Sequence, residues 1–268
     1  MPPELLAATY YGAAALYAAA GVALVAHLAG TTRRPSALAW GVRLLTAAAA
    51  LHGLHEALRW RATGMGPSSG LGAALSVLAL LGVTGFLVVR RTQPRLDVTG
   101  AFVAPLTLLL LVASRAPGER PAGHLGGAVL ALHVASVLTG TAAFTLAFVM
   151  ALAYLLQERQ VKKKRLGGVF QRLPPLDVLD AVGYRCVAVG LPALTLGIVT
   201  GFFVGARGAG AVVWQQYVGM GAWVLFAGVL VLRLAAGWRG RRAAIGTILG
   251  YASALVVLAG YYAGSPPP

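Results

Sequence analysis

The stretch "ALHVASVLTGTAAFTLAFVMALAYLLQERQVKKK", residues 131–164, carries no formal charge until Glu158 and then turns strongly basic. A bilayer hydrocarbon core of about 30 Å is crossed by about 20 helical residues, so this run is long enough to span one. Ala and Leu dominate it, which favours helix over strand. The cluster of Lys162, Lys163 and Lys164 then holds one end of that helix in water at a membrane surface.

Working outward, runs of the same kind recur along all 268 residues. The chain is 58% hydrophobic and 11% charged, with mean hydropathy +0.77. A soluble domain carries about a quarter charged residues. Eight spans are read near 5–28, 36–58, 69–89, 98–114, 125–156, 178–206, 213–235 and 243–262. No segment alternates like a membrane β-strand. The expected architecture is an all-α polytopic membrane bundle, a single integral membrane domain over 1–268.

A net charge of +15 could suggest nucleic acid, but its distribution says otherwise. Arg33, Arg34, Arg90, Arg91, Arg95, Arg159, Lys162, Lys163, Lys164, Arg165, Arg172, Arg233, Arg239, Arg241 and Arg242 fall between spans on one side. Arg59, Arg61, Arg115, Arg120 and Arg207 fall on the other, fifteen against five. The positive-inside rule places the richer side in the cytoplasm and both termini outside. Membrane lipid is therefore the expected partner of this charge, with no nucleic acid; a basic residue near anionic lipid gains about 1 kcal/mol.

The N-terminal "MPPELLAATY" lacks the positive region of a signal peptide, so the first span is expected to be retained. A single cysteine, Cys186, excludes an intramolecular disulfide and Cys-based zinc sites. Gly167 and Gly168 are expected to end the fifth helix, and Gly237 and Gly240 to form a tight turn before the last. The spacings Gly197 to Gly201 and Gly246 to Gly250 are small-xxx-small patterns that let helices approach closely. Pro105 and Pro192 lie inside spans, where they can kink the helix. Arg185, beside Asp177 and Asp180, is expected to reach the same basic surface.

Polar side chains at membrane depth are where function is sought. "LHGLHEALRW", residues 51–60, sets His52, His55 and Glu56 at the outer end of the second span. At 1.5 Å per residue His52 lies roughly 6 Å inside that end, and His133 roughly 12 Å inside the fifth span. His124 is interfacial, and His27 sits at the cytoplasmic end of the first span. Two imidazoles on different helices could share one heme iron, with Glu56, four residues after His52, accepting the imidazole N–H. The alternative is that His55 and Glu56 are solvated at the surface while His52 and His133 bond to neighbouring groups.

Other chemistries lack residues. The external acids are Glu4, Glu56 and Glu119, with no carboxylate pair inside a span, and no GxSxG, HExxH, P-loop or dinucleotide fingerprint is present. No enzymatic activity is expected. A small-solute transporter would use paired charges or broken-helix repeats within the membrane, and neither is visible.

The ordered segments "ALHVASVLTG…", "LPPLDVLDAVGYRCVAVGLPALTLGIVTGFFVGA" and "GWRGRRAAIGTILGY" resemble the integral-membrane cytochrome c assembly proteins of the CcsA/HemX type. The upstream "LHGLHEALRWRATGMGP" and "GAFVAPLTLLLL" resemble the second and fourth spans of that family. The resemblance covers most of residues 36–262. It implies heme binding or delivery at the outer face of a bacterial inner membrane, for cytochrome c biogenesis, alongside other assembly subunits and apocytochrome c. His133 matches the family histidine that opens the "HV" helix, and His52 or His55 matches one in the second span. Family members carry a tryptophan-rich string after the sixth span. This chain reads "GAVVWQQYVGMGAW" there: Trp214 and Trp223 remain, the Asp-Pro-Lys-Glu run is absent, and no histidine follows His133. These departures place it nearer the HemX-like branch.

The expected cofactor-binding set is thus His133, His52, His55, Glu56 and Trp214, with His133 and His52 on the heme iron. The alternative is a scaffold or regulator serving a tetrapyrrole-pathway enzyme through its basic cytoplasmic loops, binding no heme.

Overall fold

The computed structural model describes residues 2–31, 36–64, 66–115, 127–164, 167–205 and 214–263. The helices are α1 (Pro3–Ala29), α2 (Ser36–Thr63), α3 (Leu71–Thr92), α4 (Gly100–Ala113), α5 (Ala128–Lys162), a four-residue α6 (Val169–Arg172), α7 (Leu176–Gly205), α8 (Trp214–Ala236) and α9 (Arg241–Ala263). Among the described residues there is no strand, and seven candidate spans are long and apolar enough to cross a membrane. With α9 as the eighth long helix, the protein is a polytopic helical membrane bundle.

Local chemistry sets most helix ends. Pro3 begins α1, where its missing N–H is no loss, and Gly30 closes it at φ 79°, a left-handed conformation that favours glycine. Two differences from the sequence reading have clear causes. The α2 helix continues to Thr63, past the end of its apolar run, because helical hydrogen bonds do not stop at the lipid boundary. The fourth span is entered through a 3-10 turn, Pro94–Thr99, held by a bidentate pair between Arg90 and Asp97 at 2.7 and 3.0 Å. Pro105 and Pro192 lie inside α4 and α7, both of which continue through them. Beyond α5, Gly168 has φ 59°, and the turn before α9 uses Gly237 at 64° and Gly240 at 67°.

Packing divides the helices into two groups. The α1 helix packs on α2 and α4, and α3 on α2 and α4. In the second group α5 packs on α7 and α9, and α8 on both α7 and α9. The groups meet along α3 and α5, where Leu75, Leu78, Leu110 and Leu138 are buried together.

The seam between α5 and α7 is the most extensive. The two helices run antiparallel, with His133 over Gly201, Val137 over Gly197, Phe144 over Gly190 and Met150 over Gly183. A Cβ on Gly140 would lie 3.0 Å from the Leu194 backbone nitrogen and 3.1 Å from the Gly190 oxygen. The alternating steps of four and three residues keep both faces in register, as in coiled-coil packing. Gly246 and Gly250 do the same for α9 against Val229 and Phe226 of α8. The small-xxx-small spacings are thus packing devices.

Candidate functional site

The first polar centre joins α1, α2 and α3. His52 is fully buried, with Nδ1 3.3 Å from the Tyr17 hydroxyl and Nε2 3.0 Å from Ser76 Oγ. The Ser76 hydroxyl lies 2.5 Å from Glu56 Oε1, while Arg59 Nη2 is 2.9 Å from Oε2. Glu56, ion-paired with Arg59, only accepts, so Ser76 donates to it and must accept from His52. That order puts the imidazole proton on Nε2 and leaves Nδ1 to receive the Tyr17 phenol proton. Every donor in the chain points outward, toward Glu56.

Glu56 was expected to accept directly from His52, one helical turn away. The separation is 4.0 Å, too long for a hydrogen bond, and Ser76 of α3 fills the gap. His55 is buried as well, at 8% exposure, so it is not solvated at the surface. Its Nδ1 is 3.1 Å from Thr9 Oγ1, whose proton is directed to the Leu5 or Leu6 carbonyl, both at 3.0 Å. His55 therefore donates to Thr9. The edge-on ring of Tyr10, 5.6 Å away between centroids, covers it.

The second centre is on the α5–α7 seam. His133 Nδ1 lies 2.8 Å from the backbone oxygen of Gly197. A carbonyl cannot donate, so Nδ1 carries the proton and Nε2 keeps its lone pair. Thr200 Oγ1, 3.5 Å from Nδ1, already donates to the Leu196 carbonyl at 2.7 Å. Among the described residues Nε2 has no hydrogen-bond partner, and the ring is half-buried. A metal-bound histidine usually donates its other N–H to a carbonyl or carboxylate, which fixes tautomer and ring orientation. His133 has that arrangement before any metal arrives. It lies five residues after Ala128, the first residue of α5, about 8 Å along the helix axis.

The structure therefore brings His52, His55 and Glu56 together and sets His133 on a different seam. The α2 helix packs on α1 and α3, the α5 helix on α7, α9 and α3, and both also touch the 3-10 turn Pro94–Thr99. A bond from His52 to iron would require Tyr17 or Ser76 to release a ring nitrogen. Trp214 is the first residue of α8, and its side chain lies outside the description. His124 lies outside the described residues, as do Arg33, Arg34, Arg120, Arg165 and Arg207.

Sequence reasoning missed Tyr17, Ser76 and Thr9. Ser76 alone offered a signal, as a hydroxyl within the apolar "LGAALSVLALL" of α3. Gly197 could not be singled out as a partner, because its contribution is a backbone oxygen.

Comparison with known proteins adds a second line. Residues 86–263 match the family model described as "Cytochrome C assembly protein". The chain is 30% identical over 256 residues to the cytochrome c biogenesis protein CcsA of Synechococcus sp. (strain CC9902), covering 83% of this chain and 82% of that one. It is 29% identical over 239 residues to CcsA of Parasynechococcus marenigrum (strain WH8102), covering 77% and 76%. With protein HemX of Bacillus subtilis (strain 168) it shares 28% identity over 126 residues, 46% of each chain. The family match begins within α3, so His133 and Trp214 fall inside it, and His52, His55 and Glu56 fall outside.

Proposed function

The chain belongs to the cytochrome c assembly protein family, and from that premise we propose that it handles heme for cytochrome c biogenesis in a bacterial inner membrane. In this reading heme is cargo, bound at the outer face and passed on without enzymatic chemistry by this chain. The proposed receivers are apocytochrome c and companion assembly subunits. The basic ends of the helices face the cytoplasm, following the positive-inside rule.

One observation carries the reading. His133 has Nδ1 committed to the Gly197 carbonyl, leaving the Nε2 lone pair available to the iron of heme. Gly201 leaves room beside the ring, since a Cβ there would come within 3.0 Å of His133 Cε1. Trp214, at the start of the helix that packs on α7, is assigned to the porphyrin edge. His52, His55 and Glu56 hold the outer ends of α1, α2 and α3 together, and His52 becomes a ligand only if one of its two bonds is broken.

The test is an absorption spectrum of protein purified from cells without added heme. A Soret band is expected, lost in His133→Ala and retained in His52→Ala. A band that survives loss of His133 defeats the assignment. A protein with no band, whose function instead depends on Lys162, Lys163 and Lys164, is the scaffold or regulator of tetrapyrrole metabolism.

A further inference from the structure

Two basic strings far apart in sequence, "RQVKKK" at 159–164 and "GWRGRR" at 237–242, meet at one end of the bundle. Glu158 joins them, with Oε1 2.8 Å from Lys162 Nζ and Oε2 3.9 Å from Arg241 Nε. The junction is close because Gly240 lacks a side chain: a Cβ there would sit 2.6 Å from the Tyr154 hydroxyl. Asp180 supports the turn from below, accepting from the Gly240 N–H at 3.0 Å while pairing with Arg233 at 2.6 Å.

Once these pairs are made, a surplus of positive charge is left. Arg159, Lys162, Lys163, Arg239, Arg241 and Arg242 are all exposed, and Glu158 is the carboxylate among them. Among the described residues, Arg159, Lys163, Arg239 and Arg242 have no carboxylate partner. Trp238 is half-buried beside them, with the Arg242 guanidinium 5.9 Å from its ring centre. Tryptophan is enriched at the headgroup level of a membrane. On the adjoining stretches of α8 and α9, Val231, Leu234 and Leu249 present exposed apolar side chains, with exposures of 59%, 68% and 58%.

We propose that this end of α5, α8 and α9 is a binding site for the head group of an anionic phospholipid. The cations match a phosphodiester, and the apolar faces beside them match its acyl chains. An acidic protein segment would satisfy the cations and leave those faces uncovered. Basic pockets between membrane helices bind anionic head groups by this combination. The site lies at the opposite end of α5 from His133 and does not depend on heme.

The full chain is tested in bicelles containing brominated phosphatidylglycerol or brominated phosphatidylcholine. The fluorescence of Trp238 is isolated by subtracting Trp238→Phe. Phosphatidylglycerol is expected to quench more strongly at equal mole fraction. The preference should fall by about fivefold for each charge removed in Arg239→Gln and Arg242→Gln, and persist in Arg239→Lys/Arg242→Lys. Circular dichroism monitors folding of each variant. Equal quenching by the two lipids, or a preference unchanged in the double glutamine variant, overturns the proposal. Relief of quenching by inorganic phosphate would make this a site for free anions, and poly-glutamate binding without lipid preference would make it one for acidic protein. Either result also overturns it.

Discussion

His133 Nδ1 lies 2.8 Å from the Gly197 oxygen, and the same ring rests on Gly201, one helical turn further along α7. One glycine supplies an acceptor and the other supplies space, so the imidazole is oriented entirely by the neighbouring helix.

Gly201→Ala is expected to push the ring off that acceptor, because its Cβ would come within 3.0 Å of Cε1 and 3.3 Å of Nδ1. Removing the group that orients a metal ligand typically costs at least about tenfold in affinity. Heme titration followed by absorbance reads the loss, with helix content unchanged. Wild-type affinity in this variant would show that the seam does not orient the ligand.

Ser76→Ala removes the link between His52 and Glu56, leaving a buried N–H and a carboxylate oxygen each short of a partner. The expected cost is about 1–3 kcal/mol, seen as a lower unfolding midpoint in detergent. Because the hydrogen bonds of Ser76 go to His52 and Glu56 and not to His133, the Soret band should persist in the folded fraction.

Gly140→Ala and Gly53→Ala provide a contrast within one protein. The Cβ added at Gly140 meets backbone atoms at 3.0 and 3.1 Å, and backbone cannot rotate away. A loss of about 1–3 kcal/mol is expected from overpacking. At Gly53 nothing lies within 4 Å, so alanine should gain about 1 kcal/mol from helix propensity. Thermal unfolding of the two variants should shift in opposite directions.

Asp180→Asn strips the countercharge from Arg233, which is 13% exposed and makes bonds of 3.0 and 2.6 Å to that carboxylate. Breaking one side of such a pair costs about 3 kcal/mol, and replacing both sides with apolar residues costs less. A double-mutant cycle with Arg233→Met and Asp180→Leu should therefore give a strong coupling energy. Additive effects would mean that the pair contributes nothing as a pair.

Cysteines placed at Arg61 and Lys163 test the orientation. Cys186 is buried at 8% exposure, so its background labelling is low. A membrane-impermeant maleimide should label Arg61→Cys in intact cells and Lys163→Cys only after permeabilisation. The reverse pattern would invert the assigned topology.

The helices were legible because each apolar run must be about as long as the bilayer is thick. The run read as 178–206 forms Leu176–Gly205, and the one read as 243–262 forms Arg241–Ala263. Ends shifted where another force governed them: Pro94 starting a 3-10 turn, or the hydrogen bonds of α2 continuing to Thr63. The glycine spacings were read correctly as close packing, though not which helix each would meet. At the candidate site, His52, His55, Glu56 and His133 stood out as costly groups in an apolar setting. Tyr17 and Gly197, which decide what two of those histidines do, carried no comparable mark.

The linear chain by itself determined that this protein crosses a membrane, which ends of its helices are basic, and which imidazoles lie within the apolar layer. Those are properties of local runs, set by the transfer free energy of successive side chains. Only the tertiary structure decided that His52 has both ring nitrogens occupied while His133, among the described residues, keeps one open. Hydrogen-bond partners come from whichever helix packs alongside, and their positions along the chain bear no fixed relation to the residue they serve.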